Sequence, residues 1–212
     1  MFDYKFNKAM TAKLGAEFIG TGILAMVILV MANTTAVSYF IATSAAVTLA
    51  AIVMVFAPLS GAHVNPAVTF GMWTARRIGT VKAVAYIVAQ VLGGLGAWQL
   101  YQYFTNHTLP AKTISFDARL FIAEAVGAAI WAFAFASLVS KAVQTMASAI
   151  ALGTVVFAAI MIAATASLGY INPAVALAAR SSSVVYLVGP LVGGLVGYNL
   201  YTLLFEGNKK AV

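Results

Sequence analysis

The stretch "GYINPAVALAAR" (169–180) decides how this chain folds, because "AHVNPAVTF" (62–70) writes the same centre more than a hundred residues earlier. Asn-Pro is a helix start. Asn is a strong N-cap whose side-chain oxygen accepts from the first-turn amides, and Pro at the first helical position gives up no useful donor and has φ already set. Both copies sit in a chain with little else that is polar. Of 212 residues, 63% are hydrophobic and 8% are charged, and the mean hydropathy of +0.97 lies far outside the range of a soluble domain. The helices starting at Asn65 and Asn172 are therefore expected inside a bilayer.

A spanning helix needs roughly 20 apolar residues. Such stretches run over 14–32, 40–59, 83–104, 120–140 and 182–205. The charge-free run from Ala142 to Ala179 is too long for one crossing and too short for two, so it predicts a sixth span near 146–166 and a remainder half as deep. From Asn65 to about Ala75 a helix would run roughly 15 Å, half the hydrocarbon thickness. Non-helical backbone at that depth survives only buried in protein or beside a wet cavity. Two half-helices inserted from opposite faces would meet tip to tip. Each tip presents about half a positive charge, and each Asn keeps a side-chain N–H pair to donate into a lumen. A neutral acceptor is welcomed there and a cation is opposed.

The chain repeats internally. "AEFIGT" (16–21) matches "AEAVGA" (123–128) at an offset of 107, the offset that also separates Asn65 from Asn172. "YIVAQVLGGLGAWQLY" (86–101) matches "YLVGPLVGGLVGYNLY" (186–201) at an offset of 100, as a shorter linker after the second motif would produce. One domain over 1–212 thus contains repeats at about 10–104 and 117–205. Three spans per half is an odd number, so the second half enters from the opposite side and the repeats are inverted. Architectures of this kind place their working site at the midplane, where discontinuous helices meet. The expected fold is an all-α membrane protein with six transmembrane helices and two re-entrant half-helices.

Glu17 and Glu124 are equivalent in the repeat, and a carboxylate inside a span is costly enough to imply a role. Their expected partners are the donor-rich loops leading into the half-helices, and His63 is expected to pack the first of these loops. Small residues recur at Ala89, Gly93 and Ala97 and at Gly189, Gly193 and Gly197, a stripe that lets helices approach closely in lipid. Basic residues favour the cytoplasmic side. Lys5, Lys8, Lys13, Arg76, Arg77, Lys82, Lys141, Lys209 and Lys210 fall on one side and Lys112, Arg119 and Arg180 on the other, which puts both termini in the cytoplasm. The net charge of +7 is then topology and contact with anionic lipid, with no face suited to nucleic acid. There is no Cys and only two His, so no metal site, cofactor site or catalytic group is expected.

With "AEFIGT", "SGAHVNPAVTF", "YIVAQVLGG", "INPA" and the inverted repeat together, the chain resembles the major intrinsic protein family, the aquaporins and glycerol facilitators. The resemblance covers about residues 10–205. It implies a homotetramer in the plasma membrane with a pore in every protomer, conducting water or small uncharged solutes. It also implies pore motifs at Asn65, Pro66 and Ala67 and at Asn172, Pro173 and Ala174, loop bracing by Glu17 and Glu124, and a pore-shaping role for His63. One position departs from the family pattern. Where most members follow the second Asn-Pro-Ala with Arg, this chain has Val175. Counting along the pattern places the outer constriction at Ala45, Ile160, Gly169 and Val175, a wide apolar ring without fixed charge. A strict water channel, an ion or proton channel, a proton-coupled transporter using Glu17 or Glu124, and a structural protein with a closed pore remain alternatives.

Overall fold

The computed structural model describes residues 8–140 and 145–206. Lys5, Lys141, Lys209 and Lys210, four of the charges used above for orientation, lie outside the described residues. The elements are α1 (Lys8–Thr34), α2 (Ser38–Ser60), α3 (Pro66–Thr74), α4 (Thr80–Thr105), α5 (Ala118–Ser140), α6 (Thr145–Ala163), α7 (Pro173–Ala178) and α8 (Val184–Tyr201), followed by a π-helical turn (Thr202–Glu206). Six of them are long and apolar enough to cross a membrane. Two are half-helices, each opened by an Asn-Pro pair.

Burial is arranged for a lipid solvent. Val47, Val55, Val84, Leu92 and Ile150 face outward, while Glu17, Asn65, Thr69, Gln90, Glu124 and Asn172 are buried. The polar side chains turn inward because only protein or a lumen can bond them at this depth.

The half-helices cross over between the repeats: α3 packs against α8, and α7 against α4. Glycines adjoining the small-residue stripe set these contacts. A Cβ at Gly94 would overlap the Ala174 carbonyl, and one at Gly194 would overlap the Ala67 carbonyl. One position earlier, Gly93 meets the Phe18 carbonyl on α1 and Gly193 meets the Ala125 carbonyl on α5. Both pairs obey the repeat offsets, so the inverted symmetry is expressed in backbone contacts at the helix crossings.

The structure corrects two expectations. The change of offset from 107 to 100 does not lie in the linker, which is five residues in both halves (75–79 and 179–183). It arises because α7 has six residues against nine in α3, and because α8 begins two residues before Tyr186 where α4 begins six before Tyr86. At 1.5 Å per residue α3 is about 13 Å long and α7 only about 9 Å, so the second half-helix falls short of half the core. The sixth span, ending at Ala163, and the last, which α8 and the π-helical turn carry to Glu206, lie within a few residues of their expected bounds, and Glu206 pairs with Arg77.

Candidate functional site

The centre of the molecule is built from two loops held by two carboxylates. Glu17, fully buried on α1, accepts from Ser60 Oγ at 2.6 Å and the His63 amide at 3.0 Å through Oε1, and from the Val64 amide and Gln90 Nε2, both at 2.8 Å, through Oε2. Glu124 on α5 repeats the pattern. Its Oε1 accepts from Ser167 Oγ at 2.7 Å and the Tyr170 amide at 3.0 Å, and its Oε2 from the Ile171 amide at 2.6 Å. The same serines take the remaining loop amides, Ser60 Oγ that of Ala62 and Ser167 Oγ that of Gly169, both at 3.0 Å. Every amide from Ala62 to Val64 and from Gly169 to Ile171 is thus bonded to a side chain.

These bonds hold a strained backbone. Val64 and Ile171 precede the two asparagines with φ of 41° and 45°, a region that β-branched residues rarely enter and that costs about 1–3 kcal/mol per residue. Each is gripped at both ends. The amide donates to the carboxylate of its own half and the carbonyl accepts from the asparagine of the other half: Asn172 Nδ2 donates to Val64 O at 2.9 Å, and Asn65 Nδ2 to Ile171 O at 3.0 Å.

Each asparagine has a second task. Asn65 Oδ1 accepts from the Ala67 amide at 2.8 Å, and Asn172 Oδ1 from the Ala174 amide at 3.0 Å, capping α3 and α7. Pro66 and Pro173 occupy the first helical positions, and Ala67 and Ala174 supply the capped amides and the carbonyls that press on the glycines. The expectation of a whole free N–H pair on each asparagine is therefore corrected. One N–H of each is spent on the opposite loop, which leaves one.

Both half-helices end alike. Arg76 and Arg180 adopt φ of 59° and 62°, and the next amides, Arg77 and Ser181, return to Met72 O and Ala176 O at 2.9 Å. This is a Schellman closure made with arginine where glycine is usual, and a cation at a helix C-terminus complements the dipole.

The two halves differ behind the loops. His63 Nδ1 contacts Thr69 Oγ1 at 3.1 Å, Gln90 Nε2 donates to Thr69 Oγ1 at 2.9 Å, and the imidazole sits edge-on to Tyr86 and Phe135. The repeat substitutes Tyr170, Ala176 and Pro190 for His63, Thr69 and Gln90. Tyr170 packs on Tyr186 as His63 does on Tyr86, with ring centroids 5.0 Å apart in both pairs, but the polar chain is gone. Two further buried polar atoms, Thr21 Oγ1 on α1 and Trp131 Nε1 on α5, have no hydrogen-bond partner. Sequence reasoning passed over both, since a Thr and a Trp in an apolar span look like filler.

Ala45 on α2, Ile160 on α6 and Val175 on α7 are all buried in one apolar cluster. Gly169, at φ 64°, lies against Ile160: a Cβ there would stand 3.1 Å from its carbonyl oxygen and 3.3 Å from its Cγ2. Arg180 turns elsewhere, its guanidinium carbon 4.4 Å from the centre of the Trp98 ring on α4.

Residues 5–201 match the family model described as Major intrinsic protein. The chain belongs to the major intrinsic protein family. Members of this family are membrane channels for water or small neutral solutes and not enzymes, and the present member is a multi-pass integral membrane protein. A probable TIP-type aquaporin of Medicago truncatula is 33% identical over 165 residues, covering 72% of this chain and 66% of the relative. Aquaporin TIP2-1 of Arabidopsis thaliana is 33% identical over 173 residues, 76% of this chain and 69% of the relative. The chain spans about two-thirds of the length of these plant proteins. Aquaporin Z of Photorhabdus laumondii is 29% identical over 232 aligned positions, 92% of this chain and 98% of that protein. In fold, this major intrinsic protein is similar to the aquaglyceroporin from Plasmodium falciparum, with a TM-score of 0.73 at 19% identity over 93% of this chain and 96% of the other.

Proposed function

We propose that this major intrinsic protein conducts water and small uncharged solutes of the glycerol, urea or ammonia class through a lumen in each protomer. The lumen runs past the apposed tips of α3 and α7. The observation that carries the reading is the reciprocal bracing of Asn65 and Asn172, which fixes two positive helix ends and one remaining amide N–H from each side chain at one point. Oxygen or nitrogen acceptors bond there in passing, and a cation is repelled. Because Glu17 and Glu124 and their serines occupy the loop amides, the acceptors left in these segments are backbone carbonyls, so a permeant meets donors at the asparagines and acceptors along the loops. His63, held by Thr69 and two aromatic rings, shapes the α3 half of this path.

At the other half the path narrows at Ala45, Ile160, Gly169 and Val175. With no charge and no donor among these side chains, the ring admits solutes wider than water and gives water no special hold. The plant and bacterial relatives are named aquaporins, which supports water as one permeant. The arrangement is proposed to be a homotetramer in the plasma membrane. Both termini face the cytoplasm, as the clustering of Lys8, Lys13, Arg76, Arg77 and Lys82 on the α3 side favours. The conduction is passive and calls for no cofactor.

Light-scattering flux in proteoliposomes tests the reading. Val175→Arg is expected to cut glycerol and urea flux much more than water flux. Equal flux through both proteins would remove the constriction assignment, and wild-type vesicles no more permeable than empty ones would remove the channel.

A further inference from the structure

The segment joining the two repeats lies against the end of α7. Lys112 donates its backbone N–H to Arg180 O at 2.8 Å and forms an isolated parallel bridge with Ser181. Its side chain, although exposed, reaches one of the loops described above. Lys112 Nζ donates to Tyr170 Oη at 3.1 Å and lies 5.8 Å from the centre of that ring. Tyr170 is itself immobilised, with its amide on Glu124, its ring edge-on to Tyr186 and only 5% of its surface exposed. It also directly follows Gly169, the residue in contact with Ile160 in the ring just described. A linker ammonium is thereby pinned one residue from the narrowest uncharged part of the path.

Of the other cations at this end, Arg119 pairs with Asp117 at 3.3 Å, while Arg180 keeps its charge but lies over the Trp98 ring with its Nε unpartnered. Among the described residues no carboxylate lies within 4.0 Å of Lys112 Nζ, so its charge is not neutralised locally. Val175 contributes none.

From this geometry we infer that Lys112 is the cation barrier of the outer mouth, a specificity-determining residue supplied by the inter-repeat linker. The inference rests on the pore reading above. A unit charge held on one phenol hydroxyl raises the energy of a cation at the mouth while leaving a neutral solute almost unaffected. Lys112 is exposed, so its field is screened within a Debye length of about 8–10 Å and acts on a cation only where the ammonium is held close to the mouth. Tyr170 is thus a positioning residue, and its hydroxyl keeps the ammonium over the path.

The test uses the full-length protein in proteoliposomes, with sodium and potassium currents measured beside glycerol and water flux in one preparation. Lys112→Gln retains the backbone pairing to Arg180 and Ser181 and is expected to raise cation flux about tenfold while glycerol flux stays within about twofold. Lys112→Arg should remain cation-tight. Tyr170→Phe, which keeps the ring and the lysine but removes the anchor, should leak to an intermediate degree, and Arg180→Gln should match wild type. A Lys112→Gln protein that passes glycerol and is as cation-tight as wild type overturns the inference and leaves the pore reading standing, as does a leak that appears in Arg180→Gln instead. If wild-type vesicles pass neither water nor glycerol, the pore reading falls first and takes the role of Lys112 with it.

Discussion

Glu17 and Glu124 occupy matching places and yet are not equally served. Glu17 accepts from four donors and Glu124 from three, the missing one being the Gln90 amide, which the repeat replaces with Pro190. The first half therefore backs its loop with a side-chain network and the second with apolar packing, so the path is asymmetric although the bracing of the two loops repeats. Trp131 is the residue where this matters for a measurement. Its indole N–H is buried without a partner, and Trp131→Phe removes the donor together with three ring atoms, a cavity that costs about 1 kcal/mol whichever way the N–H is served. If the N–H faces water in the lumen, the variant should be destabilised by about that amount and lose a few-fold in water flux. If it is instead dry, relief of an unsatisfied donor, about 1–3 kcal/mol, should offset or exceed the cavity with flux unchanged. Thermal unfolding in detergent together with stopped-flow water permeability separates the two. At this scale the carboxylates and asparagines were legible, because a polar residue in a greasy span announces itself. The Lys112–Tyr170 contact was not, because no periodicity links an exposed linker to a loop 58 residues away.

Helix existence follows from hydrophobic length, and all six spans fall within a few residues of their expected places. Where helices stop was harder to read. Both half-helices end on an arginine in the left-handed region, so the usual glycine signal for a C-terminus is absent and nothing in the sequence marks the six-residue length of α7. The glycines inside the helices are of two kinds, and substitution distinguishes them. Gly194 faces the Ala67 carbonyl of α3, backbone that cannot rotate away, whereas a Cβ at Gly15 on α1 would meet nothing within 4 Å. Gly194→Ala should push α3 off α8, costing about 1–3 kcal/mol or more and lowering the yield of folded protein. Gly15→Ala should be neutral or stabilise by up to about 1 kcal/mol, since helix formation alone favours alanine. Equal thermal midpoints for the two variants would show that the α3–α8 crossing is not held by close approach of backbone.

Across the whole molecule, the two halves are tied at the centre by bonds that each half makes to the other. Asn65 caps its own helix and holds the Ile171 carbonyl, while Asn172 caps its own and holds the Val64 carbonyl. The strained loop of each repeat is thus closed partly by the opposite repeat, and neither tip is fully formed alone. Replacing one asparagine by alanine should cost about 1 kcal/mol for the lost cap and a further 1–3 kcal/mol for the carbonyl left buried without its donor. The two losses should not add. Once one tip has loosened, the carbonyl it presents to the other asparagine is less well placed, and the second bond is worth less. Asn65→Ala with Asn172→Ala is therefore expected to destabilise by about 0.5–1 kcal/mol less than the sum of the single variants. A double-mutant cycle followed by denaturant unfolding in mixed micelles measures this difference. Additivity to within about 0.3–0.5 kcal/mol would mean that the two half-helices are set independently by their carboxylates and glycines, and that the central bracing of the halves is a consequence of the fold and not one of its supports.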